Sequence, residues 1–155
     1  MIDAVAALLR LEIVDETGAM EEAFALSKSV FLTPKDIREV QLAKAAISAG
    51  IETLLHVAGI TASDVSSVYL AGGFGSHMCA ESAIAIGLIP DAFLEKMEVL
   101  GNAALAGAVM LLLHPQKQAD IRQIVKAAQM VHLGGNPLFN EKYIENMMFP
   151  CGESE

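Results

Sequence analysis

The sequence has few basic residues, and this shortage narrows the possible functions. Ten Lys and Arg stand against nineteen Asp and Glu, so the formal net charge is -9. A surface of that charge repels phosphate backbones unless basic residues cluster, and the sequence contains no such cluster. We therefore expect no nucleic-acid partner. The acidity serves solubility or matches a basic protein partner.

Cysteine and histidine are also sparse. The two cysteines, Cys79 and Cys151, form no CxxC pair, and the four histidines are scattered along the chain. This pattern predicts neither a disulfide framework nor a metal site. An iron–sulfur cluster needs about four thiolates, so this chain by itself cannot hold one.

The chain also lacks a long hydrophobic run. Its longest apolar stretch, Ala103 to Leu113, is too short to cross a bilayer, which requires about 20 residues. The apolar start, Met1 to Leu11, carries Asp3 and Arg10 and has neither the basic beginning nor the small-residue cleavage site of a signal peptide. These features predict no membrane contact and a cytoplasmic location.

What the sequence does have is apolar content, with 54% hydrophobic residues in 155. A chain of this length buries roughly 68–70% of its unfolded surface, which suits one compact domain. We expect residues 1–33 to form a peripheral helix and strands, 34–150 an α/β core, and 151–155 a frayed tail.

The best local signal opens a long helix. Thr33 suits the N-cap, Pro34 the first helical position and Asp36 the third, and Gly59 ends the pattern after Ala58. Gly50 weakens this helix and suggests a bend. The predicted apolar stripe of the helix consists of Ile37, Val40, Lys44, Ile47, Ile51, Leu54 and Leu55.

Elsewhere the pattern alternates between strands and helices, which predicts an α/β fold with a small mixed sheet flanked by helices. Before the long helix we expect a helix capped by Asp3, and short strands at 12–14, 23–26 and 29–32 around a turn at 15–18. Buried strands are expected at 68–71, 97–100 and 129–133. Further helices are expected at about 77–86, from Asn102 to before Pro115, at 117–128, and from Asn136 to about Met148.

The glycine run Gly72-Gly73-Phe74-Gly75 follows the strand at 68–71 directly. Glycines at a strand end let backbone approach a flat or phosphorylated ligand where a Cβ would intrude. A tight turn that needs positive φ explains them as well. The run matches neither the Rossmann fingerprint nor a P-loop.

Three further features allow both a binding and a structural interpretation. Lys44 lies within the apolar stripe, where a lysine usually extends its ammonium to solvent but could reach a ligand. Gly101 and Asn102 could touch a ligand, although an N-cap asparagine needs no other explanation. His77 and Cys79 flank the glycine run without a third partner, which disfavours a nucleophile–base pair.

Taken together, several stretches resemble the ATP-dependent reductive activators of corrinoid proteins, a branch of the actin, Hsp70 and sugar-kinase superfamily. The likeness covers essentially the whole chain in the right order. Its stretches are 32–37, 41–47, 69–75, 86–90, 101–108, 139–140 and 149–150.

This resemblance implies a ribonuclease H-like lobe of an actin-like ATPase. Gly72, Gly73, Phe74 and Gly75 would then lie against the adenosine of bound ATP, with Gly101 and Asn102 nearby. Lys44 would lie on the helix that lines the adenine pocket. The helix from Asn102 would pack on the other lobe through its small residues.

The resemblance also implies partners. A ferredoxin-like domain with a 2Fe-2S cluster would supply the electron, and an inactivated cob(II)alamin centre of a corrinoid protein would be returned to cob(I)alamin. The family's acidic phosphate motifs, which hold magnesium, have no match here. The nearest string, 15–18, is better explained as a hairpin turn.

We therefore expect a piece of a longer activator, or a separately encoded lobe, that does not hydrolyse ATP alone and whose catalytic residues stay unassigned. One alternative is a non-catalytic docking module for a corrinoid protein. Another is a lobe of a different actin-like sugar kinase.

Overall fold

A computed structural model describes residues 1–75 and 77–150. Its main elements are α1 (Ile2–Arg10), β1 (Phe24–Ala25), β2 (Phe31–Leu32), α2 (Pro34–Ala58), β3 (Val68–Ala71), α3 (Gly72–Gly75), α4 (Ala80–Ala85), β4 (Met97–Gly101), α5 (Ala103–Leu113), α6 (Gln118–Ala127) and α7 (Pro137–Glu145). Short 3-10 turns occupy Ala62–Asp64, Asp91–Lys96 and Pro115–Lys117. The tail predicted at 151–155, with Cys151, lies outside the described residues.

Helix α2 begins and ends where the sequence predicts. The Thr33 hydroxyl accepts a hydrogen bond from the Asp36 amide, and the Asp36 carboxylate accepts one from the Thr33 amide, which completes a capping box. Gly59 follows the helix in the left-handed conformation. The helix is continuous through Gly50, where an ideal Cβ would lie 3.6 Å from the Leu133 side chain, an ordinary van der Waals contact.

The first 33 residues differ from the prediction in detail. Met1 rather than Asp3 occupies the N-cap position of α1, and residues 12–14 form no strand. The two predicted strands at 23–26 and 29–32 shorten to the antiparallel pair β1–β2. A turn forms at 15–18, where the Gly18 amide donates to the Asp15 carbonyl and the Asp15 carboxylate accepts from the Thr17 and Ala19 amides. It is not the predicted hairpin turn, because no strand forms at 12–14.

The core lies between α1, the first half of α2, α4 and the C-terminal segment. Segment 1–33, which was expected to be peripheral, contributes directly to this core. The predicted apolar stripe of α2 is only partly buried, because Ile47 and Leu54 are exposed. The buried apolar cluster consists of Val5, Ala6, Leu8, Val14, Met20, Leu32, Ile37, Val40, Ala83, Ile86, Leu88, Ile89 and Phe149.

Strands β3 and β4 form a two-stranded parallel sheet in which Tyr69 pairs with Glu98 and Leu70 with Val99. The prediction that both strands are buried is wrong for this structure. Tyr69 is 57% and Val99 54% exposed. Parallel strands normally have both faces covered by other elements. This sheet has the apolar composition of such a buried element, but its side chains are exposed.

The last third of the chain follows the prediction except at 129–133, which forms no strand. No backbone ladder reaches that stretch, and the Leu133 carbonyl instead accepts from the Asn136 amide in a turn at 134–135. Asn102 and Asn136 cap α5 and α7 as expected, and α7 ends at Glu145 rather than at about Met148.

Helices α5 and α6 have no buried residue. The described residues contain no helix that is both long and apolar enough to cross a membrane. Helix α5 is nevertheless apolar on every side, a composition typical of a helix enclosed by protein.

Candidate functional site

The candidate site lies where β3 and β4 end together. Because the two strands are parallel, their carboxyl ends meet at the same edge, and Ala71 pairs with Gly101 in the final step. A register shift between Leu70 and Ala71 places an irregularity at this edge. Such bulges are common beside binding sites because they redirect the backbone at the strand end.

Gly72 and Gly73 leave the backbone uncovered at the end of β3. A Cβ built on either residue would meet no other atom within 4 Å, so neither glycine is required by local packing. Gly72 has a φ of 89°, which disfavours any other residue there. The two residues open a single helical turn rather than an irregular loop.

Gly75 is explained by packing instead. A Cβ at this position would lie 2.9 Å from the Cβ of Leu70, so the turn folds back against β3 only because residue 75 has no side chain. The Phe74 backbone belongs to the same turn. The structure therefore gives the three glycines different reasons: positive φ requires Gly72, packing requires Gly75, and neither requires Gly73.

Gly101 and Asn102 lie at the end of β4, next to the turn. Gly101 has a φ of 61°, and a Cβ there would also meet nothing within 4 Å. The Asn102 carbonyl oxygen accepts from the Leu105 amide at 3.0 Å, so this side chain serves as the helix cap. The N-terminus of α5, with its remaining free amide dipoles, thus faces the same edge.

Lys44 is placed elsewhere. Its side chain is 2% exposed, so it does not reach solvent, and its ammonium donates a hydrogen bond to the Met148 carbonyl. The ammonium also lies 5.3 Å from the centroid of the Phe149 ring, within the range of a cation–π contact. Burial lowers the pKa of Lys44 from 10.5 to about 8. These partners belong to the C-terminal segment, whereas Gly72, Gly73, Gly101 and Asn102 share the strand edge.

Other candidate groups do not form a catalytic set. The Cys79 thiol donates a hydrogen bond to the Glu81 carboxylate at 3.0 Å, and this bond lowers the pKa of Glu81. Asp15 is occupied by its own turn, and the Thr17 hydroxyl in particular lowers its pKa. Within residues 1–75 and 77–150, no group of three or more His, Cys, Asp and Glu side chains could hold a metal ion.

An open cavity of about 850 Å³ lies away from the strand edge, among residues 12–24. Its lining includes four carboxylates, which repel a polyphosphate. The strand edge is therefore the better nucleotide candidate. The acidic lining residues are Glu12, Asp15, Glu21 and Glu22.

Sequence reasoning missed the partners of Lys44. Gln41, one turn earlier on α2, is 3% exposed and donates to the carbonyls of Thr17 and Met147 at 2.8 and 3.1 Å. The available signal was a glutamine and a lysine one turn apart on a mostly apolar helix face, but this pattern does not distinguish buried donors from side chains that extend to solvent.

Known proteins are similar to this chain in sequence and in fold. Residues 1–155 match the family described as the C-terminal domain of RACo, the ASKHA domain. The corrinoid activation enzyme RamQ of Eubacterium limosum is 36% identical over 122 residues, which are 79% of this chain and 21% of that protein. The [Co(II) methylated amine-specific corrinoid protein] reductase of Methanosarcina barkeri is 31% identical over 121 residues, 77% of this chain and 22% of that protein.

A solved structure agrees with these relatives. A chain described as a reductive activator for corrinoid,iron-sulfur protein superposes with a TM-score of 0.87 at 29% identity, over 96% of this chain and 27% of that chain. This protein thus spans about a fifth to a quarter of the length of its relatives. It belongs to the family of C-terminal ASKHA domains of RACo, which have the actin-like ATPase fold.

Proposed function

We propose that this chain supplies the adenosine-facing half of an ATP site in a reductive activator of corrinoid proteins. The observation that carries the proposal is the open space beside Gly73, in the turn that follows β3, where two strand ends meet at one edge. Gly72 and Gly101 are accounted for by their positive φ, whereas neither φ nor packing requires a glycine at position 73, which suits a ligand that lies directly on the main chain. The family match supports an activator over another actin-like sugar kinase.

The edge fits an adenosine better than it fits the phosphates with magnesium. The open glycines could lie against a nucleoside, but the described residues lack the cluster of carboxylates that a magnesium ion would need. The phosphate and metal ligands would therefore come from another part of the activator. When bound there, ATP would supply the free energy of hydrolysis for lobe closure.

Helix α5 supports the need for a second lobe. Leu105, Met110 and Leu112 are 59%, 54% and 80% exposed on a helix with no polar face. Exposed apolar surface of this extent is typical of an interface. We infer that the other lobe covers α5, which would complete the nucleotide site between the lobes.

The wider proposal concerns the whole activator, in the cytoplasm. A ferredoxin-like domain outside this chain would carry the 2Fe-2S cluster, since the sequence has only two cysteines. The electron would reduce a cob(II)alamin centre of a partner corrinoid protein to cob(I)alamin.

The test measures ATP and ADP binding by calorimetry. The sample is the complete protein that the gene encodes. Gly73→Val places a branched side chain over the open edge and should weaken nucleotide binding at least about tenfold. Gly134→Val is the matched control, because Gly134 is equally open but lies in the turn at 134–135, which belongs to neither β3 nor β4. Equal binding by both variants, or no binding by the parent at millimolar nucleotide, would contradict the proposal.

The acidic cavity favours a second function, the docking of a corrinoid protein through a basic segment. This function needs no nucleotide at the glycine edge. Capture of the corrinoid protein that is unaffected by Gly73→Val but lost in Glu21→Gln/Glu22→Gln would favour docking. Loss of capture in Gly73→Val would favour the nucleotide-dependent activator.

A further inference from the structure

The last residues before the end of the described chain form a strap across α2. We define the C-terminal strap as residues Met147–Pro150, which follow α7. The carbonyls of Met147 and Met148 accept hydrogen bonds from Gln41 and Lys44, two side chains one turn apart. Two successive residues of the strap thus accept hydrogen bonds from side chains of α2.

Two further contacts tie the strap to other parts of the protein. The Phe149 amide donates to the Glu16 carbonyl at 2.8 Å, and its ring is 2% exposed within the core cluster. Pro150 lies against Gly87, where an added Cβ would be 3.0 Å from its ring. Gly87 ends α4, so the strap joins α2, the 15–18 turn and the helix that follows the glycine turn.

The anchor of this strap has an unusual environment. Among the described residues, lysine ion pairs are formed by Lys117 and Lys142, and Lys44 forms none. Its buried ammonium is compensated by a carbonyl and an aromatic ring. Burying an ammonium without a carboxylate disfavours its charged form.

Charged groups on the surrounding elements do not supply the missing carboxylate. Arg38 of α2 contacts the Met147 sulfur at 3.9 Å, and Glu81 of α4 is hydrogen-bonded to Cys79. The remaining charged side chains on α1, the 15–18 turn and α7 are Asp3, Arg10, Asp15, Glu16, Glu141, Lys142 and Glu145, and no ion pair joins any of them to Lys44.

We propose that the C-terminal strap is a releasable clasp, and that Lys44 is the positioning residue that makes its docking depend on protonation. With the strap docked, the lysine is enclosed and its neutral form is favoured. With the strap released, the lysine is hydrated and its charged form is favoured. Docking therefore releases a proton when the pH lies between the pKa values of the docked and the released lysine.

The sign of the pH dependence follows from this difference. The docked lysine has a pKa of about 8 and a free lysine one of 10.5, so between these values the released state binds more protons. The ratio of docked to released strap should rise about tenfold per pH unit in this window, about 300-fold in total. Below pH 8 the clasp is at its weakest and its docking no longer changes with pH.

The direct test follows the Lys44 side chain by NMR in the lysine-labelled protein, with the resonance assigned from Lys44→Arg. We expect its ε-carbon to titrate near pH 8 in the parent chain and closer to 10.5 in Phe149→Ala, which releases the strap. Lys35, an exposed lysine on the same helix, is the internal control and should not respond to Phe149→Ala. A Lys44 midpoint near 10.5 in the parent, or one unchanged by Phe149→Ala, would overturn the proposal.

A second measurement covers the case in which Phe149→Ala does not fold. The free energy of unfolding is measured in urea at several pH values between 7 and 10 for the parent, Lys44→Met and Lys35→Met. The parent and Lys35→Met should gain stability with pH relative to Lys44→Met. Parallel profiles for all three proteins would show that Lys44 does not control the clasp.

Discussion

At the scale of the residue, the glycines of the strand edge separate into positions that packing requires and positions that it leaves open. Gly75 is needed because Leu70 occupies the space of its missing side chain. Gly73, two residues earlier in the same turn, lies in open space. A stability measurement can distinguish these two roles without any ligand.

We expect Gly75→Ala to destabilise the chain by about 1–3 kcal/mol, because the new methyl group overlaps Leu70. Gly73→Ala should leave stability unchanged or raise it by up to about 1 kcal/mol, since alanine favours the helical turn. Urea unfolding of both variants provides the measurement. Equal losses would mean that the whole turn, rather than residue 75, resists side chains.

Glu12 is the opposite case, a residue with a side chain where glycine is usual. It has a φ of 55°, and the bonds from the Glu12 amide to Leu9 and from the Ile13 amide to Leu8 form a Schellman motif after α1. The same motif after α2 and α4 has Gly59 and Gly87 at this position.

Glu12→Gly should therefore stabilise the chain by about 1 kcal/mol, by relieving left-handed strain. The control is Glu12→Ala, which removes the carboxylate but keeps the Cβ and should give no gain. Thermal or urea unfolding measures both. A gain of the same size from alanine would assign the effect to charge instead of conformation.

At the scale of the element, helix ends are set by side chains three residues apart. Thr33→Ala removes the cap of α2 and should cost about 1 kcal/mol at neutral pH. The hydrogen bonds from the Thr33 hydroxyl and amide also lower the pKa of Asp36 below 3.8. The stability that these bonds contribute is therefore fully present above pH 3.8, and it is lost as the pH falls through the lowered pKa of Asp36 in the folded protein.

The difference in unfolding free energy between the parent and Thr33→Ala should therefore narrow below pH 3.8. Thr33→Ser keeps the hydroxyl and is the conservative control. A difference that stays constant down to pH 2 would mean that the Asp36 carboxylate takes no part in the capping box.

At the scale of the whole molecule, the packing is uneven. The core lies with α1, α2, α4 and the C-terminal strap, whereas β3, β4, α5 and α6 expose apolar side chains. The second group holds the strand edge, so the candidate site lies on the less covered part of the protein. This arrangement suits a domain whose other faces are covered by further protein.

Leu112 and Leu8 test this division. Leu112 is 80% exposed, so Leu112→Glu should change the free energy of unfolding, measured in urea, by less than about 0.5 kcal/mol. Leu8 is 2% exposed, and Leu8→Ala should cost about 2–5 kcal/mol. A large loss of stability from Leu112→Glu would show that α5 is already buried in solution, for example in a dimer.

The sequence alone determined the features that depend on nearby residues. The caps at Thr33, Asn102 and Asn136, the turn at 15–18 and the strands predicted at 68–71 and 97–100 form through contacts within a few residues or through strong local preference. The likeness of whole stretches also identified the family, because the motifs follow one another in order.

Only the tertiary structure decided the place of Lys44, the exposure of the sheet and the irregular stretch at 129–133. The partner of Lys44 is 104 residues away in sequence, so no local pattern could distinguish a solvated lysine or a ligand contact from a buried anchor. Apolar composition predicted cover for β3, β4 and α5, and the structure leaves their apolar side chains exposed. Whether this chain covers them itself depends on packing between distant segments, which composition does not specify.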